Sequence, residues 1–192
     1  IALRDDLEGQ APRAMAVSAS VKLKLTNWAD VFGSDTHREP CQAPAHPHRA
    51  ELGSRAFSLG PEVWIERDDF AETPPKGFHR LFPGNKVRLK YGVVVECTGC
   101  NKDADGNVTA VRCNYFPDSK SGTPGADAYK VKGNIHWVSA RHAYAAGVRL
   151  YDRLFKVPNP GAGGADYLGD INPASKKVLT ARLEPLLREA KP

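Results

Sequence analysis

The stretch Lys86-Val-Arg-Leu-Lys-Tyr-Gly-Val-Val-Val-Glu-Cys-Thr-Gly-Cys-Asn-Lys-Asp-Ala-Asp-Gly-Asn-Val-Thr-Ala-Val-Arg-Cys-Asn-Tyr115 decides the fold class. From Lys86 to Glu96 it first alternates polar and apolar residues, then turns continuously apolar at Val93-Val-Val95. Alternation at period two marks a half-buried strand, and unbroken apolar character marks one buried on both faces. The segment therefore reads as one strand crossing from a wet face into a core. Asp105-Gly106 is a hairpin turn signal, because glycine supplies the positive φ that the turn requires. Val108 to Tyr115 is then the return strand.

The same period recurs on both sides of this hairpin. Val21–Thr26, Pro61–Arg67, Lys130–Val138, Val148–Lys156 and Lys177–Leu183 all read as strands, which makes about eight in all. Helix is expected only at residues 2–8 and Glu184–Ala190. Four loops separate these elements. Gly33–Ala50 is polar and carries His37, His46 and His48 with Pro40, Pro44 and Pro47. Gly77–Asn85 is a turn-rich connector, Ser119–Ala128 is flexible and basic at its start, and Pro158–Gly164 is a break. Short strands at regular spacing with such turns predict small antiparallel β-barrels rather than a βαβ fold.

At 192 residues the chain holds one domain or two small ones. An apolar content of 41 % supports a packed core and excludes disorder. The net charge of +5 favours a polyanionic partner, though mildly. Arg4, Asp5, Asp6 and Glu8 break up any N-terminal apolar run, and no segment approaches the ~20 apolar residues a membrane span needs. With Ile1 in first place and four cysteines, the expectation is a soluble, cytoplasmic piece of a longer chain with its thiols reduced.

Several motifs invite chemistry and each has a plainer reading. Cys97-Thr-Gly-Cys100, with Cys113 and Cys41, has part of a zinc pattern but lacks a second close pair, and buried free cysteines are ordinary in a hairpin. No metal site is expected. Asp103-Ala-Asp-Gly-Asn107 has a calcium-loop beginning, but Asn114 stands where the acidic twelfth ligand is needed. His136 and Ser139 lack the strained turn that exposes a catalytic serine, so His136 reads as structural. There is no P-loop, no dinucleotide fingerprint and no metalloprotease helix, and no catalytic residue is assigned. What remains is cation-bearing strands near aromatic residues. Lys86, Arg88 and Lys90 share one face, Lys130 and Lys132 another, and Tyr91, Tyr115, Phe116 and Tyr129 lie close in sequence. Single-stranded RNA is held in this way, with bases stacked on rings and phosphates on cations.

Five phrases together resemble the glutaminyl-tRNA synthetase family. They are Ala11-Pro-Arg-Ala-Met-Ala-Val17, His46-Pro-His-Arg-Ala-Glu-Leu-Gly-Ser-Arg55, Lys130-Val-Lys-Gly-Asn-Ile-His-Trp-Val-Ser-Ala140, Val148-Arg-Leu-Tyr-Asp-Arg-Leu-Phe155 and Val157-Pro-Asn-Pro160. They run in order through nearly the whole chain. The resemblance implies two ribosomal-protein-like anticodon-binding β-barrels, one inserted in the other. It implies a connector from the catalytic core at residues 1–13 and an anticodon-binding region at 14–192. The proximal barrel would take residues from about 14–60 and 145–192, and the distal barrel about 61–144. The implied partners are tRNA(Gln) and a catalytic domain of the same chain, in a monomeric protein away from membranes. No cofactor is expected in this region, and ATP and magnesium belong to the catalytic domain. The expected tRNA contacts are Arg55, Lys86, Arg88, Lys130 and Lys132, with His136 and Trp137 as barrel packing. The alternative is a zinc-stabilised or plain structural β-domain without RNA specificity.

Overall fold

Strands carry the chain in the computed structural model, which describes residues 2–189. A helix α1 (Ala2–Glu8) leads to β1 (Ala16–Val17) and β2 (Ser20–Leu25). The short helix α2 (Trp28–Phe32) precedes a ribbon of β3 (Glu39–Pro44) and β4 (Ser54–Leu59). Then come β5 (Glu62–Glu66), β6 (Lys86–Leu89), β7 (Val94–Lys102) and β8 (Val108–Tyr115). The last strands are β9 (Gly133–Ile135), β10 (Trp137–Ser139), β11 (Tyr144–Tyr151) and β12 (Lys176–Leu183). Among the described residues no helix is long and apolar enough to cross a membrane.

Seven strands form one nearly closed barrel in the order β10-β5-β2-β8-β7-β6-β9. Its two end strands are consecutive in the chain, with only His136 between them, so the chain itself spans the seam. The Lys90 N–H donates to the Ile135 carbonyl at 2.9 Å, and the Trp137 indole N–H donates to the Lys90 carbonyl at 2.9 Å. Pairing is antiparallel except at β2–β8 and β6–β9, which are parallel. Beside the barrel lie the ribbon β3–β4 and a three-stranded sheet β1-β12-β11. The mainly β, barrel-based class expected from the sequence is what the chain adopts. Its barrel draws on both sides of the boundary expected near residue 60, because β2 hydrogen-bonds to β5 and β8.

The barrel interior is made by the apolar half of each alternating strand. Leu23, Ile65, Val87, Leu89, Val95, Val111, Cys113 and Trp137 are essentially inaccessible to solvent. Each aliphatic side chain of this kind contributes roughly 1.5–3 kcal/mol by leaving water. Trp28 covers one end, with its ring edge-on to Tyr115 at 5.3 Å.

Several expectations are corrected. Lys86–Glu96 is not one strand but two, β6 and β7, folded back through Lys90–Val93. The Leu89 N–H donates to the Val93 carbonyl and the Gly92 N–H to the Leu89 carbonyl, both at 2.8 Å, with Tyr91 at φ 60°. Lys130–Val138 is broken as well. Lys130 and Lys132 precede β9, and His136 is the exposed bend between β9 and β10, not barrel core. The strand expected from Val148 begins at Tyr144 and ends at Tyr151. Ser119–Ala128 is tied down rather than loose: Ser119 is buried, its Oγ accepts from the Val94 N–H at 2.7 Å, and the Ser121 N–H donates to the Gly92 carbonyl at 2.7 Å. Glu39–Pro44, inside the proline-rich loop, is a strand. Its prolines are tolerated because the ribbon has only one pairing partner. At the far end Pro185–Glu189 is a 3-10 turn, and Ala190 lies outside the described residues.

Candidate nucleic-acid interface

A cleft of about 230 Å³ opens where the loop before β6 meets the segment before β9, lined by Phe78, His79, Phe82, Asn85, Lys86, Lys130, Val131, Lys132 and Gly133. Its loop wall is anchored by backbone pairing. The Leu81 N–H donates to the Asp69 carbonyl at 2.9 Å, the Ala71 N–H donates back to the Leu81 carbonyl at 3.0 Å, and Leu81 is fully buried. Asn85 closes the wall: its side-chain amide donates to the Arg80 carbonyl at 2.6 Å, and its own carbonyl accepts from the Cys97 N–H at 3.0 Å. Gly133 lets the two walls touch. A Cβ there would sit 2.2 Å from the His79 carbonyl oxygen and 2.7 Å from Val87 Cγ1, so no larger residue fits without displacing the loop.

Three of the five expected contact residues meet in this cleft: Lys86, Lys130 and Lys132. Lys130 and Lys132 are exposed and, among the described residues, have no ion-pair or hydrogen-bond partner. Lys86 is half committed, 3.6 Å from Glu96 and 4.7 Å from the Phe116 ring centre. The Phe78 and Phe82 rings are half-buried beside these ammonium groups. Cations beside partly exposed rings suit a phosphate attached to an unstacked base.

The other two expected residues point elsewhere. On β6, Arg88 turns its guanidinium onto the following loop, donating to the carbonyls of Ser119 at 2.7 Å and Ala126 at 2.9 Å. It thereby holds the 119–126 segment in place. Arg55, on β4, is buried against Glu184 and donates to the Pro44 carbonyl at 2.7 Å. Phe78, His79, Phe82 and Asn85 were not picked out by sequence, which showed only a connector there. The signal was present in the Phe78-His-Arg80 triplet, an aromatic residue next to cations in a loop.

The cysteines do not gather. Cys97 and Cys113 face each other across β7–β8, Cys100 follows a bulge at Gly99, and Cys41 lies on β3. Among the described residues no three His, Cys, Asp or Glu side chains come together to hold a metal.

The barrel and its ribbon thus carry a basic cleft beside half-buried aromatic rings. The chain belongs to the family described as tRNA synthetases class I (E and Q), anti-codon binding domain, whose two profiles match residues 11–116 and 134–192. More particularly, it is similar to glutamine–tRNA ligases. It is 62 % identical over 191 residues to that of Cupriavidus metallidurans, covering 100 % of this chain and 32 % of the relative. It is 63 % identical over 190 residues to that of Cupriavidus taiwanensis, covering 99 % and 32 %. The ligase of Ralstonia nicotianae is 62 % identical over 191 residues, with 100 % and 32 % covered. The chain thus spans about a third of the length of the curated relatives it matches.

Proposed function

We propose that this chain is the part of a glutamine–tRNA ligase that grips the anticodon stem-loop of tRNA(Gln), while a catalytic domain of the same protein joins glutamine to the tRNA. The observation that carries the reading is the cleft itself. Lys130 and Lys132, without a partner among the described residues, line it with Phe78 and Phe82, and its loop wall is anchored by backbone pairing to Asp69 and Ala71. The similarity to glutamine–tRNA ligases along the whole chain supports tRNA(Gln) as the RNA.

In this reading Lys130 and Lys132 neutralise backbone phosphates, and the rings receive a splayed base. Asn85 fixes the cleft wall, since its side chain is spent on the Arg80 carbonyl. Arg88 and Arg55 act at one remove, Arg88 by holding the 119–126 loop and Arg55 by holding the ribbon to the three-stranded sheet. ATP and magnesium are used by the catalytic domain, and the parent acts as a cytoplasmic monomer.

The test is a binding comparison between tRNA(Gln) and a tRNA of unrelated anticodon. Preference for tRNA(Gln), weakened in Lys130→Ala/Lys132→Ala, is the expected result. Equal affinity for both RNAs favours a β-domain without RNA specificity.

A further inference from the structure

A second cleft, of about 270 Å³, lies at the other end of the β9–β10 segment, where the end of β10 and its turn face the loop before β3. Nine residues separate Lys132 from Arg141. The two clefts share no lining residue. The second cleft presents Arg38, Arg141 and His142.

The charges in this cleft are unbalanced in one place. Lys22 pairs with Glu62 at 2.9 Å, and Glu62 takes Lys24 as well at 3.2 Å. His37 is 3.4 Å from Glu39. Arg38 and Arg141, both exposed, have no carboxylate within ion-pair distance among the described residues. His142, half-buried, lies on the same lining. Its Nδ1 is 3.1 Å from the Ser139 Oγ and 3.3 Å from the Ser58 Oγ, which leaves Nε2 without a partner among the described residues. Burial holds the His142 imidazole below its usual range, and the charges of Arg38 and Arg141 push it the same way. Arg38, Arg141 and His142 all line this one cleft. Asp35, exposed on the lining, has no hydrogen-bond or ion-pair partner among the described residues. Its carboxylate can accept from a ribose hydroxyl, whereas it would repel a free polyphosphate.

We propose that Arg38 and Arg141 clamp a sugar–phosphate of RNA in this cleft, giving the chain a second backbone grip separate from the Lys130–Lys132 cleft. The inference rests on the RNA-binding reading above. A guanidinium offers two parallel donors to a phosphate, so two of them with His142 Nε2 can satisfy both non-bridging oxygens. Each neutralised phosphate releases counterions, which makes the grip readable as a salt slope.

The experiment titrates labelled tRNA(Gln) with the wild-type chain, with Arg38→Gln/Arg141→Gln and with Lys130→Ala/Lys132→Ala at several salt concentrations. For the arginine variant the expected result is an affinity loss of roughly tenfold or more at low salt. Its slope of log K against log salt should fall by about 0.7–0.9, the share of the one phosphate the pair holds. Its urea midpoint should stay unchanged, because both side chains are exposed and neither has a hydrogen-bond or ion-pair partner among the described residues. An unchanged slope in the arginine variant, with the lysine variant impaired, overturns this inference and leaves the anticodon-binding reading standing. Failure of the wild type to bind any tRNA overturns that reading instead. In a further arm inorganic phosphate is titrated into the wild type. Saturation by phosphate together with an unchanged tRNA slope makes the cleft a free-anion site and overturns the RNA assignment.

Discussion

Arg55 and Glu184, 129 residues apart in sequence, form a bidentate ion pair with Nε 2.8 Å from Oε2 and Nη2 3.1 Å from Oε1. Their side chains are 10 % and 4 % exposed, so the charges are nearly dry. Glu184 Oε1 also accepts from the Met15 N–H at 3.0 Å. One cluster thus ties the lead-in to β1, the ribbon β3–β4 and the end of β12. Breaking such a pair strands the surviving charge. Arg55→Ala should therefore cost about 3–5 kcal/mol in urea unfolding. Arg55→Lys should recover only part, since an ammonium cannot make the fork. A cost below about 1 kcal/mol for Arg55→Ala would show that the pair does not hold these elements together.

Gly133 tests the geometry of the cleft. With His79 O only 2.2 Å from the position of an added Cβ, Gly133→Ala must push the 77–80 loop outward. Stability and tRNA affinity should fall together. Lys130→Ala, in contrast, should lower affinity at constant stability. Retention of full affinity by Gly133→Ala would mean that the loop wall takes no part in binding.

Asp69 gives the chain a pH signature. Burial pushes its carboxyl from 3.8 up to about 6, against the pull of Arg80 at 3.0 Å. A carboxyl that holds its proton more tightly when folded stabilises the fold below its unfolded value, and that contribution is lost as pH rises through the folded value. Stability from this group should decline between about pH 4 and pH 6. The size should be on the order of 1–2 kcal/mol, since Arg80 and solvent both screen the site. Asp69→Asn removes the titrating group, so wild-type and variant stabilities should converge towards low pH and diverge above it. Parallel curves would contradict the assignment.

The cysteine pair is expected to behave as core. Cys97 gives its backbone N–H and carbonyl to Asn85 and Gly84, not to β8, so it meets Cys113 at a pairing position where side chains lie closest. The Cys113 thiol donates a hydrogen bond to the free Cys97 sulfur and holds it below the usual thiol range, while burial pushes Cys113 well above it. Cys113→Ser, which leaves a hydroxyl in an apolar core, should cost about 1–3 kcal/mol. Cys100→Ser should cost less than about 0.5 kcal/mol. Added zinc should leave the melting temperature of all three proteins unchanged. A zinc-dependent rise in the wild type alone would restore the metal reading.

Much of the barrel was legible because its strands carry the plain period-two pattern: Val21–Leu25, Glu62–Glu66 and Val108–Tyr115 pair over nearly the lengths their alternation marks. Tyr91-Gly92 hid a turn, since the valines after it continued the apolar run and a tyrosine at positive φ is uncommon. Strand β3 was hidden by Pro40 and Pro44, which argue against a central strand but not against a two-stranded ribbon. At the site, the lysines could be seen as cations but not as neighbours. Lys86 and Lys130 meet only because β6 pairs with β9, a relation no local pattern encodes. Arg88 and Arg55 show the converse limit: whether a guanidinium serves a ligand or its own fold depends on carbonyls and carboxylates brought from elsewhere in the chain.

The central claim is that the Lys130–Lys132 cleft takes RNA phosphates from the anticodon hairpin. It is tested most directly by titrating an isolated anticodon stem-loop of tRNA(Gln) into the chain and into Lys130→Ala/Lys132→Ala over a range of salt. The account predicts saturable binding by the wild type, and for the variant a weaker affinity with a salt slope lower by about 1.4–1.8. Equal affinity and equal slope for the two proteins would contradict it.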